Sequence, residues 1–407
     1  MVGEEEIDDI FKKIKKANKK ASKLNLNTPI VKSRYLSGLV SADVYLKLEN
    51  FQITGSFKIR GAFNKLQELG PEQIQNGVIT ASAGNHGQGL AYAARIMNVP
   101  ATIVVPENTP FIKIKRIKNQ GALVVEKGQS YDDAVEIAQK LAIDKKMVYI
   151  PAFDDPDIIA GQGVIGLEIM DYLEDPLCII CPIGGGGLIS GIAIFAKHIV
   201  PEIKIIGVEA YGAAAMKYSV EKGKITTLEI MDTIADGIAV KTPGNLTFNI
   251  VSELVDDIVT VNDNQIANAI LKLMEEDHIV VEGAGATPVA ALLNDMIPEL
   301  EGKKVVCIIS GGNIDVTMLD KIIDKGLVFD NRFMSVDCNI PDKPGNLVKL
   351  LEVIAGLKGN VLDIRHHRRG ANVQPGYSRV VIDLEIRNAE HAGTIKKKLK
   401  DEGYCLL

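Results

Sequence analysis

Lys58 lies in Thr54-Gly55-Ser56-Phe57-Lys58-Ile59-Arg60-Gly61-Ala62, a lysine flanked by small residues and one aromatic ring. Small neighbours let a bulky planar group reach the ammonium, and Phe57 offers a ring-sized wall. Ser82-Ala83-Gly84-Asn85-His86-Gly87 follows one βα unit later. Gly184-Gly185-Gly186-Gly187 can gather successive N–H groups into one concavity, because no Cβ intervenes, and a phosphate needs such a cradle. Ser310-Gly311-Gly312-Asn313 is a third glycine cluster. An amine, a flat wall and a phosphate cradle together describe a planar anionic cofactor held covalently as a Schiff base. Pyridoxal 5'-phosphate meets that description.

Each element of this constellation has a bland competitor. The tetraglycine run precedes a helix expected over 188–196, whose dipole favours an anion, but it also reads as a flexible strand–helix turn. A dinucleotide fingerprint fails there, because Ile189 takes the place of the last glycine. Asn85 and His86 face the same crevice. The Asn85 amide could bond a phenolic oxygen on the cofactor ring, and Ser82 with the local N–H groups could hold a substrate carboxylate; for His86 a helix-capping role competes. Ser310, as a hydroxyl facing a pyridine nitrogen, cannot protonate it permanently. The ring is then a weaker electron sink, which suits β-elimination or β-replacement better than transamination. Glu282, before Gly283-Ala284-Gly285, is a helix cap or a pocket carboxylate. Cys178-Ile179-Ile180-Cys181 has metal or redox spacing but no second pair, so structural cysteines are expected. Arg365-His366-His367-Arg368-Arg369 reads as a solvated strand end.

The elements that must position these residues alternate in type. Apolar runs at 77–80, 101–105, 123–125, 177–180, 203–208 and 304–309 are strands too continuously apolar to face water, so a parallel sheet is expected. Helical patterns at 88–97, 163–173 and 263–278 supply the crossovers, and the glycine clusters fall at strand C-terminal ends, where doubly wound α/β folds gather ligands. An amphipathic helix over 7–24 precedes them. After Phe329 the pattern becomes strand 333–340, helix 346–357, strand 360–367, strand 377–386 and helix 389–402, a ferredoxin-like βαββαβ order. The loop 368–376, with Gly370, Pro375 and Gly376, is expected to be mobile. The boundary is placed near 327–332, giving a catalytic domain over 1–328, with a small subdomain at about 53–150 inserted in the large one, and a second domain over 332–407.

The chain has 407 residues, 46% hydrophobic and 24% charged, which suits a globular enzyme of several domains. A net charge of −6 excludes an electrostatic case for nucleic acid. No run is long enough to span a bilayer, and the start Met-Val-Gly-Glu-Glu-Glu lacks a signal-peptide pattern. Five scattered cysteines argue for a reducing compartment, so a cytoplasmic location is expected.

The motifs Gly55 to Ala62, Ser82 to Gly89, Gly184 to Leu188 and Ser310 to Asn313 resemble, over essentially the whole chain, the threonine ammonia-lyases (threonine dehydratases) of the fold-type II, tryptophan-synthase-β-like pyridoxal family. Residues 333–407 resemble an ACT regulatory domain, with Asp342-Lys343-Pro344-Gly345-Asn346-Leu347 at its first strand–helix turn. The resemblance implies that Lys58 carries the cofactor, Phe57 packs beside its ring, Asn85 binds the ring oxygen, Gly184, Gly185, Gly186, Gly187 and Leu188 hold the phosphate, Ser310 meets the pyridine nitrogen and Gly237 lies across the ring. Ser82, Ala83, Gly84, Asn85 and His86 would hold the substrate. The freed Lys58 amine would remove the Cα proton, the β-hydroxyl would leave protonated by the cofactor phosphate, and aminocrotonate would hydrolyse to 2-oxobutanoate and ammonia. L-Serine would give pyruvate. Isoleucine or valine would bind at Pro344, Gly345, Asn346 and Leu347, in a homodimer or homotetramer placed in amino-acid metabolism, with isoleucine biosynthesis as the expected context.

Two departures discriminate within the family. Serine racemases carry a second serine where this chain has Ala83. Metal-binding relatives pair a glutamate, matched here by Glu209, with an aspartate replaced here by Ala215, so no metal is assigned and Glu209 remains a candidate cation ligand. The alternatives carried forward are a serine racemase, another β-eliminating or β-replacing pyridoxal enzyme, and an amino-acid sensor whose catalytic half is only a scaffold.

Overall fold

Strands buried on both faces must pair with other buried strands, and crossover helices make that pairing parallel. Lys204–Ala210 is such a strand, buried at every position but its first. The computed structural model describes residues 3–24, 26–176, 178–368 and 373–407. Two compact units divide at Asp315/Val316, ahead of the helix Val316–Phe329 and upstream of the boundary expected at 327–332.

The first unit holds two sheets. Six strands, β1 (Ile30–Lys32), β2 (Asp43–Leu48), β7 (Cys178–Pro182), β8 (Lys204–Ala210), β9 (Asp257–Val261) and β10 (Lys304–Ile309), run in the order β1-β2-β10-β7-β8-β9. Only the β1–β2 pair is antiparallel. Four strands, β3 (Val78–Ala81), β4 (Ala101–Val105), β5 (Leu123–Glu126) and β6 (Val148–Tyr149), form a parallel sheet in the order β5-β4-β3-β6. This is the doubly wound α/β architecture expected. One strand departs from expectation: β5 is an edge strand with Leu123 60% exposed, not a buried central one.

Helix starts are chemically marked. The Asp155 carboxylate accepts from Asp157 N and Ile158 N to cap Pro156–Tyr172, and Asn262 with Gln265 forms a capping box on Asp263–Glu276. Helix Lys58–Glu68 packs on Pro156–Tyr172 glycine to glycine: a Cβ on Gly161 would meet Gly61 Cα at 2.6 Å. That closeness brings Arg60 against Glu168. Arg60 donates to Glu49 and Glu168 at 2.7–2.8 Å, and Lys47 donates to Glu168 at 2.5 Å, all four side chains being buried. Burial alone would raise the Glu49 pKa, but the Arg60 guanidinium holds it below the usual carboxylate range. Two cations and two carboxylates thus neutralise one another two residues beyond Lys58.

The second unit has β11 (Phe333–Pro341), β12 (Asn360–His367), β13 (Tyr377–Glu385) and β14 (Cys405–Leu406), all antiparallel in the order β12-β13-β11-β14, with helices Asn346–Gly356 and Ala389–Asp401. This is the βαββαβ order. Along β13 alternate residues Ser378, Val380, Ile382 and Leu384 are buried, and the last three share a core with Val336, Ile340, Leu350, Ile354, Ile395 and Leu399. Of the loop expected to be mobile, residues 369–372, including Gly370 and Arg369, lie outside the described residues.

Candidate active site

A cavity of about 860 Å³ sits beyond the C-terminal ends of β3, β7 and β10. Phe57, Lys58, Ser82, Ala83, Gly84, Asn85, His86, Gly184, Gly185, Gly186, Gly187, Leu188, Gly237 and Ser310 all line it, although they come from five separated segments. Pro344, Gly345, Asn346 and Leu347 belong to the second unit, at the turn before helix Asn346–Gly356, where Gly345 has φ +90° and Asn346 Nδ2 donates to Pro341 O at 3.1 Å.

Lys58 opens its helix, so its side chain projects from the helix start into the cavity. Its Nζ donates to Ala152 O at 3.0 Å and stands 5.1 Å from the Phe57 ring centroid. Burial pushes its pKa down to about 8, with the Glu282 carboxylate opposing the shift. His86 is not the cap of helix Asn85–Ile96; Gly84 occupies that position. The His86 ring lies with Nε2 3.1 Å from Ile150 O, and burial, then the Lys58 charge, lower its pKa to about 3, so it is neutral.

Glu282 resolves in favour of the pocket. It stands at the N-cap of helix Gly283–Leu293 without capping it; its Oε1 instead accepts from Asn85 Nδ2 at 2.7 Å. Burial and the Asp236 charge raise its pKa to about 7. Asn313 Nδ2 donates to Asn85 Oδ1 at 2.9 Å and to Thr54 O at 2.7 Å. The bonding roles of Glu282, Asn313 and Ala152 escaped sequence reasoning. Ala152 follows a two-residue strand, too short for periodicity to reveal.

The glycine run leaves no room for side chains. A Cβ on Gly184 would meet Ile238 Cα at 2.9 Å, one on Gly185 would enter the Phe153 ring at 2.3 Å, and Gly186 has φ +91°. Thr247 Oγ1 donates to Gly185 O at 2.7 Å and steadies the loop. Helix Gly187–Ile199 begins there with no side-chain cap, and the Ser190 hydroxyl in its first turn is buried without a hydrogen-bond partner. An uncapped helix start, a glycine cradle, an amine and a ring-sized wall in one cavity fit pyridoxal phosphate.

Two other candidates sit elsewhere. Glu209, buried on β8, accepts from Met216 N at 3.0 Å and Lys217 N at 2.8 Å, and burial raises its pKa to about 8. Its carboxylate therefore serves the start of helix Ala215–Lys222, and among the described residues no cluster of three metal-ligating side chains occurs. Cys178 and Cys181 are free and buried within β7.

A doubly wound first unit with a lysine-anchored, glycine-cradled cavity defines a cofactor-dependent enzyme of the fold-type II class. The family model described as pyridoxal-phosphate dependent enzyme matches residues 21–311. The chain belongs to that family. It is 45% identical to an L-threonine ammonia-lyase of Thermotoga maritima over 96% of this chain and 97% of that one. Threonine deaminase isoform 2 of Solanum lycopersicum superposes with a TM-score of 0.75 at 38% identity, over 80% of this chain and 94% of that one. Maize serine racemase superposes with a TM-score of 0.73 at 35% identity, over 78% and 98%.

Proposed function

We propose that this chain deaminates L-threonine to 2-oxobutanoate and ammonia, and L-serine to pyruvate and ammonia, as a pyridoxal-phosphate lyase. The observation that carries the reading is the Lys58 amine, held against Ala152 O beside the Phe57 ring in the cavity that the Gly184–Gly187 cradle also lines. The bound cofactor supplies the electron sink for a carbanion at Cα. Lys58 holds it, the Gly184–Leu188 backbone binds its phosphate, and Asn85 and Ser310 orient its ring. Ser82, Gly84 and the start of helix Asn85–Ile96 bind the substrate carboxylate. The Lys58 amine, with its pKa drawn down to about 8, removes the Cα proton near neutral pH. Neutral His86 keeps a second positive charge away from that amine. Water lost from Cα and Cβ leaves an enamine, whose hydrolysis gives the oxo acid and ammonia.

The likeness to maize serine racemase favours a second reading. Ala83 lines the cavity and has no hydroxyl to deliver a proton to the opposite face, which supports elimination over racemisation. An absorption spectrum before and after L-threonine, with 2-oxobutanoate assayed together, tests the first reading. A colourless protein, inert with added pyridoxal phosphate, would overturn it. Substantial D-serine from L-serine would favour the second.

We further infer that residues 332–407 are an ACT regulatory domain that takes isoleucine or valine at Pro344, Gly345, Asn346 and Leu347. The βαββαβ order and the left-handed Gly345 turn support this. Calorimetric titration of isoleucine into the full chain and into Asn346→Ala tests it; equal binding by both would exclude that turn. A homodimer or homotetramer in the cytoplasm completes the reading. Exposed Phe111, Phe51 and Ile53 and five free cysteines support it, and no described helix is long and apolar enough to cross a membrane.

A further inference from the structure

Glu282 is one of the cavity's carboxylates, and the chemistry above gives it no task. It is 5% exposed and does not cap its own helix. A Cβ on Gly311 would meet its Oε1 at 2.5 Å, and one on Gly237 would meet it at 3.1 Å, so the carboxylate is wedged between the Gly311 backbone and that of Gly237, which lines the cavity. Space for it is made by the absence of two side chains. Its Oε1 accepts from Asn85 Nδ2, while Asn85 Oδ1 accepts from Asn313 Nδ2. Those two bonds fix which way the Asn85 amide points. Rotating it would set its oxygen against the carboxylate and its NH2 against that of Asn313. One N–H of Asn85 is then taken by Glu282, and the other remains for the cavity that Asn85 lines.

We propose that Glu282 is a positioning residue that acts through Asn85, locking its amide so that the remaining N–H meets the ring oxygen of the cofactor, while its charge supports a protonated nitrogen at Lys58. This rests on the pyridoxal-phosphate reading of the cavity. The charged and titratable groups that bear on Glu282 are Lys58 from the helix Lys58–Glu68, Asp236 beside Gly237, and Lys113 from the helix Phe111–Asn119, which pairs with Asp236 at 2.8 Å; neutral His86 faces Lys58.

The test is a double-mutant cycle on cofactor affinity, read by fluorescence titration of apoenzyme with pyridoxal phosphate. Glu282→Ala and Asn85→Ala should each weaken binding about tenfold, the scale of one lost charge-assisted bond. The double variant should bind within about threefold of Asn85→Ala alone, the residual being the share of the Glu282 charge at Lys58. Glu282→Gln keeps an acceptor, so its affinity should stay within about threefold of wild type. Its visible band should nevertheless titrate about one pH unit lower, because an anion beside the protonated nitrogen is gone. Fully multiplicative losses in the cycle would overturn the proposal. So would an unmoved titration midpoint in Glu282→Gln, which decides the matter where Glu282→Ala does not fold. Wild-type protein that takes up no pyridoxal phosphate would instead overturn the cofactor reading and this proposal with it.

Discussion

Charges in the two units are handled in opposite ways. In the first, Lys47, Glu49, Arg60 and Glu168 are withdrawn from water and satisfied by one another, and Lys58, His86 and Glu282 line a cavity with pKa values displaced by burial. In the second, Arg379 pairs with Asp337, Arg365 with Asp383 and Arg368 with Asp342 on accessible positions of the sheet and its turns. Its core is otherwise aliphatic, apart from Cys338 and Ser378. Desolvated charge is costly and persists only where its partners are exactly enough in number to neutralise it. The first unit carries that cost on the same helix as its reactive amine, with Arg60 two residues beyond Lys58, whereas the second folds by strand alternation and needs none of it.

The largest effect should come from the amine itself. Lys58→Ala should lower 2-oxobutanoate formation at least about a thousandfold, since it removes both the anchor and the base. Full activity in that variant would end the proposed chemistry. Next is the buried charge cluster around Arg60. Arg60→Ala takes from buried Glu49 the cation bonded to it and leaves Glu168 with Lys47 alone, and should cost about 3–5 kcal/mol, seen as a large fall in Tm. Arg379→Ala, which removes a solvated partner of Asp337, should leave Tm essentially where it was. Equal losses in the two variants would break the contrast between the units.

A third effect follows from the pKa of about 8 at Lys58. A lowered lysine pKa means that the neutral, nucleophilic form is already present near neutrality. At pH 7 about a tenth of Lys58 is neutral, against about one part in 3,000 for an unshifted lysine. The rate of cofactor uptake by apoenzyme should therefore climb about tenfold per pH unit up to pH 8 and then level off. Stopped-flow absorbance would register this, and a rate still rising tenfold per unit towards pH 10 would show that burial has not shifted the amine.

The same contrast explains what could be read from residues alone. The second unit's elements were legible because alternation runs through nearly all of β13 and glycine marks the turn at Gly345. The glycine clusters and Lys58 were legible because each is a local pattern. β2 was not: Lys47 interrupts its apolar run, and the carboxylate that pairs with that buried lysine, Glu168, lies 121 residues away. Glu282 was ambiguous for the same reason, since its partner Asn85 lies 197 residues away. The break between units falls before Val316–Phe329 because that helix packs on β11, a tertiary fact with no composition signal.

The smallest effect concerns the rim of the cavity. Lys113 pairs with Asp236 at 2.8 Å and Lys241 with Asp132 at 2.9 Å, and all four residues line the cavity. Lys113 and Asp132 belong to helices packed with the β3–β6 sheet, while Asp236 and Lys241 belong to the segment following β8. The pairs therefore bridge the two halves of the first unit at partly exposed positions of the cavity lining. Exposed pairs of this kind contribute only about 0.2–1 kcal/mol each and weaken in salt. Raising ionic strength from about 0.01 M to about 1 M shortens the screening length from about 30 Å to about 3 Å. If the pairs help hold the cavity closed over substrate, KM for threonine should rise about threefold over that range, with kcat nearly constant. Asp132→Lys should reproduce the rise at low salt, and adding Lys241→Asp should reverse it by restoring the pair in the opposite sense. A KM indifferent to salt and to both substitutions would make the rim ion pairs equivalent to those of the second unit, and the division between the units would then begin only at the buried charges.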